Sequence, residues 1–218
     1  MNQSFRPAAG ESLVVGLGNP GPEYAATRHN FGFMLLDRLL AAGGSEGSFR
    51  IYSKFPAAIA RVRIGRRPVW LVKPLSYMNR SGQALAGLLA ENPDFDPQAL
   101  LVAHDDLDLE LGRIKLKQGG GSGGHRGVAS IIEEFGRADF YRLRLGIDSP
   151  LRAVDTVDFV LSPFAADELP QVAKVLDRAA EGLSRLFTAG KAAAMNELNR
   201  RDKQPLPEKG DESPSDPV

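Results

Sequence analysis

The 218-residue chain has no cysteine. That excludes disulfides, thiolate nucleophiles and cysteine-held metals, and it fits a reducing compartment. No apolar run approaches the roughly 20 residues of a membrane span. The opening Met1-Asn2-Gln3-Ser4-Phe5-Arg6-Pro7 lacks the apolar core of a secretory signal, so the expected location is the cytoplasm. No internal repeat is evident. The formal net charge is zero, but it is unevenly spread. Residues 202–218 carry two lysines against five carboxylates, a tail of −3 that balances a body of +3.

With 43% hydrophobic residues the chain can build a sizeable core, and its length suits one domain. The expected organisation is a loose leader over 1–11, an α/β body over 12–201 and a disordered Pro-, Asp- and Glu-rich tail over 202–218. Ser12–Gly18 reads as a strand apolar on both faces, as in a sheet covered on both sides. A helix is predicted from about Asn30 to Ala42, with Leu35, Leu36, Leu39 and Leu40 as its stripe, and 45–56 as a loop. Ala57–Ile64 and Val69–Lys73 read as a hairpin, and Met78–Glu91 as a helix. Ala99–Ala103 is a buried strand, followed by His104-Asp105-Asp106-Leu107-Asp108. Further strands at Gly112–Gln118 and Tyr141–Ile147 flank a glycine loop and a helix over about Val128–Phe135. Thr156–Leu161 reads as a short helical turn and Asp167–Thr188 as a long amphipathic helix, with one more helix after Gly190. Interleaved strands and helices imply a single α/β domain, a central mixed twisted sheet with helices on both faces.

The chemistry gathers in a few stretches. Gly16-Leu17-Gly18-Asn19-Pro20-Gly21 matches the G-x-G-x-x-G of dinucleotide sites. Pro20, Pro22 and a polar stretch delay the helix, however, and Glu46, the acid near the required spacing, sits in a Gly/Ser loop. A tight turn and close backbone approach explain the glycines better. Among the three histidines, His29 stands out, lying near Asn19 and Asn30 just before a helix. An aspartate from the Asp105-Asp106-Leu107-Asp108 run could reach it if the two strands are parallel neighbours, making a general base able to activate water. Turn capping is the second reading of those acids and a Mg²⁺ or Mn²⁺ site the third.

The loop Gln118-Gly119-Gly120-Gly121-Ser122-Gly123-Gly124-His125-Arg126-Gly127 lacks a P-loop ending, though glycines before a helix favour an anion. Arg113, Lys115 and Lys117 share one strand face; Arg142 with Arg144, and Arg61 with Arg63, alternate similarly. Basic strand faces are usually only solvated, but several beside such a loop point to a phosphate-bearing polymer.

These stretches together resemble the bacterial peptidyl-tRNA hydrolase family: Val14–Asn30, Lys73–Gly82, Leu101–Leu109, Arg113–Gly127 and Phe140–Ile147, in family order. The resemblance implies hydrolysis of the ester between a nascent peptide and the 3′ ribose of tRNA. It implies His29 as general base, Asp105 as its partner, and Asn19 and Asn79 as groups that position substrate and water and polarise the carbonyl. Tyr24 and Met78 would line the crevice, with His125 at its rim. Lys115, Lys117 and Arg144 would hold tRNA phosphates. No metal or organic cofactor and no membrane are implied, and a monomer is expected. The chain departs from the pattern in having Arg126 where the family commonly has asparagine, and Ser122 where a histidine is often found. Arg126 is therefore expected to grip the tRNA end or peptide backbone. The competing classes are a non-catalytic RNA-binding relative and a dinucleotide-dependent oxidoreductase.

Overall fold

Strands apolar on both faces require cover on both faces. The computed structural model, which describes residues 5–8, 10–43, 48–52, 54–149 and 155–200, supplies it with helices. In chain order the elements are β1 (Ser12–Gly16), α1 (Phe31–Ala42), β2 (Arg50–Tyr52), β3 (Ala57–Ile64), β4 (Arg67–Pro74), α2 (Ser81–Ala90), β5 (Leu100–Glu110), β6 (Ile114–Gln118), α3 (Arg126–Phe135), β7 (Tyr141–Asp148), α4 (Thr156–Leu161), α5 (Leu169–Ala189) and α6 (Lys191–Leu198). The strands form one sheet in the order β2-β3-β4-β1-β5-β7-β6. β4, β1, β5 and β7 run parallel, while β2 on β3, β3 on β4 and β6 on β7 are antiparallel, so the sheet is mixed as expected.

Alternate residues of β1 divide between two cores. Val14 joins Phe31, Leu35, Leu36 and Leu39 of α1 and Val172, Val175 and Leu183 of α5. Leu13 and Val15 join Leu85 and Leu88 of α2 and Val128 and Ile131 of α3. Gly16 and Gly18 allow α1 to lie directly on the strand end. A side chain at Gly16 would strike the carbonyl of Gly32, and one at Gly18 the ring of Phe33. Close approach is therefore what these glycines provide, and the helix opens only at Phe31. At the far edge, the side-chain amide of Asn199 accepts from Leu116 N–H at 2.7 Å and donates to Leu116 C=O at 3.1 Å. It imitates a neighbouring strand and covers part of the open edge of β6.

Several expectations are revised. β1 ends at Gly16, not Gly18. The 45–56 stretch contains the short strand β2, whose three residues are too few to show a period; residues 44–47, Glu46 among them, and residue 53 lie outside the described residues. The acids after Ala103 do not follow a strand but continue it, because β7 runs on beside them and pairs His104 with Arg144, Asp105 with Leu145 and Asp106 with Gly146. The long helix predicted over Asp167–Thr188 runs from Leu169 to Ala189, and Leu169 at its start is exposed. The leader is packed where it is described: Phe5 meets Trp70 edge-on at 5.0 Å, and buried Glu11 accepts from Trp70 Nε1 at 2.6 Å and pairs with Arg61. Residues 201–218, and with them the acidic tail, lie outside the described residues.

Candidate active site

β1 has β4 on one side and β5 on the other, all parallel, so ligands are expected beyond the carboxyl ends of these strands. A cleft of about 540 Å³ lies there. Asn19 comes to it from the loop after β1, Asn79 from the turn after β4, Asp105 from β5 and His125 from the end of the glycine loop. His29, Arg126, Asp106, Asp108 and Ser122 add to its polar lining.

The chain's three histidines, separate in sequence, converge on Asp105. Nδ1 of His29 lies 3.0 and 2.9 Å from the two oxygens of that carboxylate, and Nε2 of His125 lies 2.9 Å from Oδ1. His125 also caps α3, its Nδ1 accepting from the N–H groups of Gly127 and Val128 at 3.2 and 3.3 Å. An acceptor at Nδ1 places the His125 proton on Nε2, facing Asp105. For His29 the carboxylate takes Nδ1–H, which leaves the Nε2 lone pair free to act as a base. Nδ1 of His104 donates to the Asp105 carbonyl at 2.7 Å, its ring 4.8 Å from that of His125. Asp105 is only 2% exposed. Burial pushes its carboxyl up, but the imidazoles of His125 and His29 outweigh this and hold it well below the usual carboxylate range. Burial, together with the charge of His125, pushes His104 down to about 3.

Asn19 is held just as firmly. Its N–H donates to Asn30 Oδ1 at 2.8 Å and its carbonyl accepts from Asn30 Nδ2 at 3.0 Å. Its own Oδ1 accepts from the N–H of Met78 at 2.9 Å. That fixes the amide so that Nδ2 remains available to donate. Met78 is buried, and a side chain on Gly127 would strike its sulfur, so the glycine lets the start of α3 close against the turn carrying Asn79. Asn79 itself is exposed on the cleft wall. The clamp by Asn30 carries no signature in the sequence beyond the repetition of asparagine near a strand end.

The cleft also has an apolar part: Leu107 and, from α4, Val157, Val160 and Leu161, beside Thr156. Tyr77, 63% exposed, also lines the cleft. Tyr24 does not; its carbonyl accepts from Thr27 Oγ1 within the loop before His29. In the run Ser76-Tyr77-Met78-Asn79 no sequence signal sets Tyr77 apart as a cleft residue; its place follows from the turn after β4.

The basic strands separate into different roles. Lys115 pairs across with Arg144 and Lys117 with Arg142, so the four share one sheet face. Arg142 is buried and donates to the carbonyls of Gly120, Gly121 and Ala138, holding the glycine loop from beneath. Arg144 is paired with Asp106, with Asp108 at 3.7 Å. Burial, then the neighbouring guanidiniums of Arg144 and Arg142, pushes the Lys117 ammonium down. Arg61 and Arg63 lie on β3, with three strands between it and β7, and do not extend this face.

His29, Asp105 and His125 are close enough to share a metal ion, their ligand atoms lying within 4.8 Å of one another. A cation there would have to replace the two hydrogen bonds that the imidazoles already make to the carboxylate. Among the described residues no helix is long and apolar enough to cross a membrane.

Residues 13–206 match the family model described as peptidyl-tRNA hydrolase. The chain is 45% identical over 190 residues to the peptidyl-tRNA hydrolase of Aquifex aeolicus, covering 87% of this chain and 97% of that protein. It is 43% identical over 193 residues to that of Nocardia farcinica, covering 88% and 98%. The crystal structure of peptidyl-tRNA hydrolase from Acinetobacter baumannii superposes with a TM-score of 0.79 at 38% identity, covering 86% of this chain and 94% of that one.

Proposed function

The chain belongs to the peptidyl-tRNA hydrolase family, and from that membership we propose that it frees tRNA by cleaving the ester between the peptide and the 3′ ribose with a water activated by His29. The observation that carries the mechanism is the His29–Asp105 contact at 2.9 Å, which leaves Nε2 of His29, a residue of the cleft lining, without a hydrogen-bond partner among the described residues. Nε2 takes a proton from water as the oxygen attacks the ester carbon. Asp105 stabilises the resulting imidazolium. The negative charge formed on the carbonyl oxygen is met by amide donors, Asn19 Nδ2 and the side chain of Asn79. As the tetrahedral intermediate collapses, the C–O bond to the ribose breaks and the imidazolium returns its proton to the leaving 3′ oxygen. The products are tRNA with a free hydroxyl and a peptide carboxylic acid, which gives up its remaining proton to solvent and leaves as the carboxylate. A general base contributes about 10²–10⁴-fold and an oxyanion donor about 3 kcal/mol. No nucleophilic side chain is required, because a ribose ester is already labile.

Lys115 and Lys117 supply the net charge that holds tRNA phosphates. Arg144 shares its charge with Asp106 and serves chiefly to shape that face. Arg126, exposed at the first turn of α3, grips a phosphate or carbonyl oxygen at the mouth of the cleft, and Met78 and His125 line the space for the terminal nucleotide and peptide. The test is release of free tRNA from purified peptidyl-tRNA by the wild type and by His29→Ala. The expected result is a wild-type rate at least a hundredfold above the variant's; equal rates would remove His29 from the mechanism.

A further inference from the structure

The residue before the proposed base has a chemistry of its own. Arg28 is 2% exposed, and its guanidinium meets both oxygens of Glu168, at 3.2 and 2.6 Å. It also lies over the rings of Phe159 and Phe164, at 4.5 and 4.8 Å. The backbone repeats the attachment: Arg28 N–H donates to Ser162 O at 3.0 Å, and Thr27 bridges to Pro163. Glu168 accepts from Ala165 N–H at 2.8 Å and from Ser149 as well. Three parts of the chain therefore meet at one carboxylate: the end of β7, the start of α5 and the single turn Arg28–Asn30. The excursion from Ser149 to Glu168 carries α4, and α4 supplies Thr156, Val157, Val160 and Leu161 to the cleft.

We propose that Arg28 and Glu168 are a positioning pair that fixes the α4 wall against the turn carrying His29, and so sets how the acyl group of the substrate meets the base. A guanidinium fork bound to a carboxylate and held between two aromatic rings has one geometry, which a lone charge contact would lack. Neither side chain touches the reacting atoms. The pair acts by holding two walls in register, and displacement of a bound reactant by about an ångström is enough to cost on the order of a hundredfold in rate. The part concerning the acyl group rests on the function proposed above; the attachment of α4 does not.

Two measurements separate them. In Glu168→Gln, hydrogen exchange of the 156–161 amides is expected to quicken at least tenfold while that of β1 and β5 is unchanged. Unchanged exchange in 156–161 would overturn the attachment, whatever the substrate. Hydrolysis is then compared for N-acetyl-leucyl-tRNA and N-acetyl-glycyl-tRNA. The expected result is a kcat at least tenfold lower for the leucyl ester and within threefold of wild type for the glycyl ester, with KM for both nearly constant. Equal losses for the two esters, as a general loss of folded protein would produce, or no loss for either, would overturn the role in presenting the acyl group. The double variant Arg28→Met/Glu168→Met, which leaves no buried charge unpaired, repeats both measurements if Glu168→Gln does not fold. Failure of wild type to hydrolyse either ester would strike the proposed function and leave the exchange result standing.

Discussion

His125 and His29 share one carboxylate: Nε2 of the first lies 2.9 Å from Oδ1 of Asp105 and Nδ1 of the second 2.9 Å from Oδ2, with the rings 4.9 Å apart. The two imidazoles are not equivalent. Both nitrogens of His125 are occupied, one by the amides of α3 and one by Asp105. Only His29 keeps a nitrogen for chemistry. Asp105→Asn removes the negative charge that faces both imidazoles, and in either orientation its NH₂ lies about as close to Nδ1 of His29 as its carbonyl oxygen does, so His29 loses a clean acceptor. We expect kcat to fall by about 10²–10³-fold, within the range of a lost general base, with KM changing little. Single-turnover kinetics on peptidyl-tRNA would measure it.

The pH dependence of stability should carry a signature of His104. Its folded-state value is pushed down to about 3 from an ordinary 6.5, chiefly by burial. Between those limits the unfolded chain binds a proton that the folded chain refuses. The fold is therefore free of this penalty above pH 6.5 and loses on the order of a few kcal/mol as the pH falls toward 3. Asp105 adds to the loss only below the ordinary carboxylate range, because its folded value is lowered. Urea denaturation of wild type and His104→Asn from pH 7 to 4 (the range on the order of the window set by the reference values) should show a shallower slope in the variant. Identical slopes would mean that His104 takes no part.

Asn30 should matter through Asn19. Asn30→Ala leaves the N–H and C=O of Asn19 without partners in a buried setting, at a cost of about 1–3 kcal/mol for each stranded group that water cannot reach. Asn30→Asp can still accept from Asn19 N–H but cannot donate to Asn19 C=O. The aspartate variant should thus lie between wild type and alanine in thermal stability and in kcat. If it tracked wild type, the donation to the carbonyl would be unimportant.

Phosphate binding is read in salt. Lys117→Ala and Lys115→Ala should each raise KM for peptidyl-tRNA and lower the slope of log affinity against log salt by about 0.7–0.9 for each phosphate no longer neutralised. kcat should stay near wild type, since neither ammonium lines the cleft. Arg142→Ala should behave differently, lowering kcat and stability together, because that side chain holds the glycine loop and not solvent. A matching salt slope in Arg142→Ala would contradict its assignment as structural.

Much of this was present in local pattern. Among the described residues, period and punctuation located each of α1 to α6 and every strand but β2, and the glycines of the first loop announced a close approach that α1 makes. The family resemblance marked His29, Asp105, Asn19 and Asn79, and the cleft brings those four together. What sequence could not decide was the role of each charge, since that depends on strand order. Arg142 and Arg144 look alike in an alternating strand, yet one is buried under the glycine loop and the other is neutralised by Asp106 from the adjacent β5. Likewise Arg28 reads as a cation beside a histidine, and only the return of the chain 140 residues later supplies Glu168. Local order follows from side-chain period and backbone sterics, which neighbours in sequence determine. The partner of a polar side chain is set by which distant segments the sheet makes adjacent, and burial there turns an ordinary charge into a fixed part of the site.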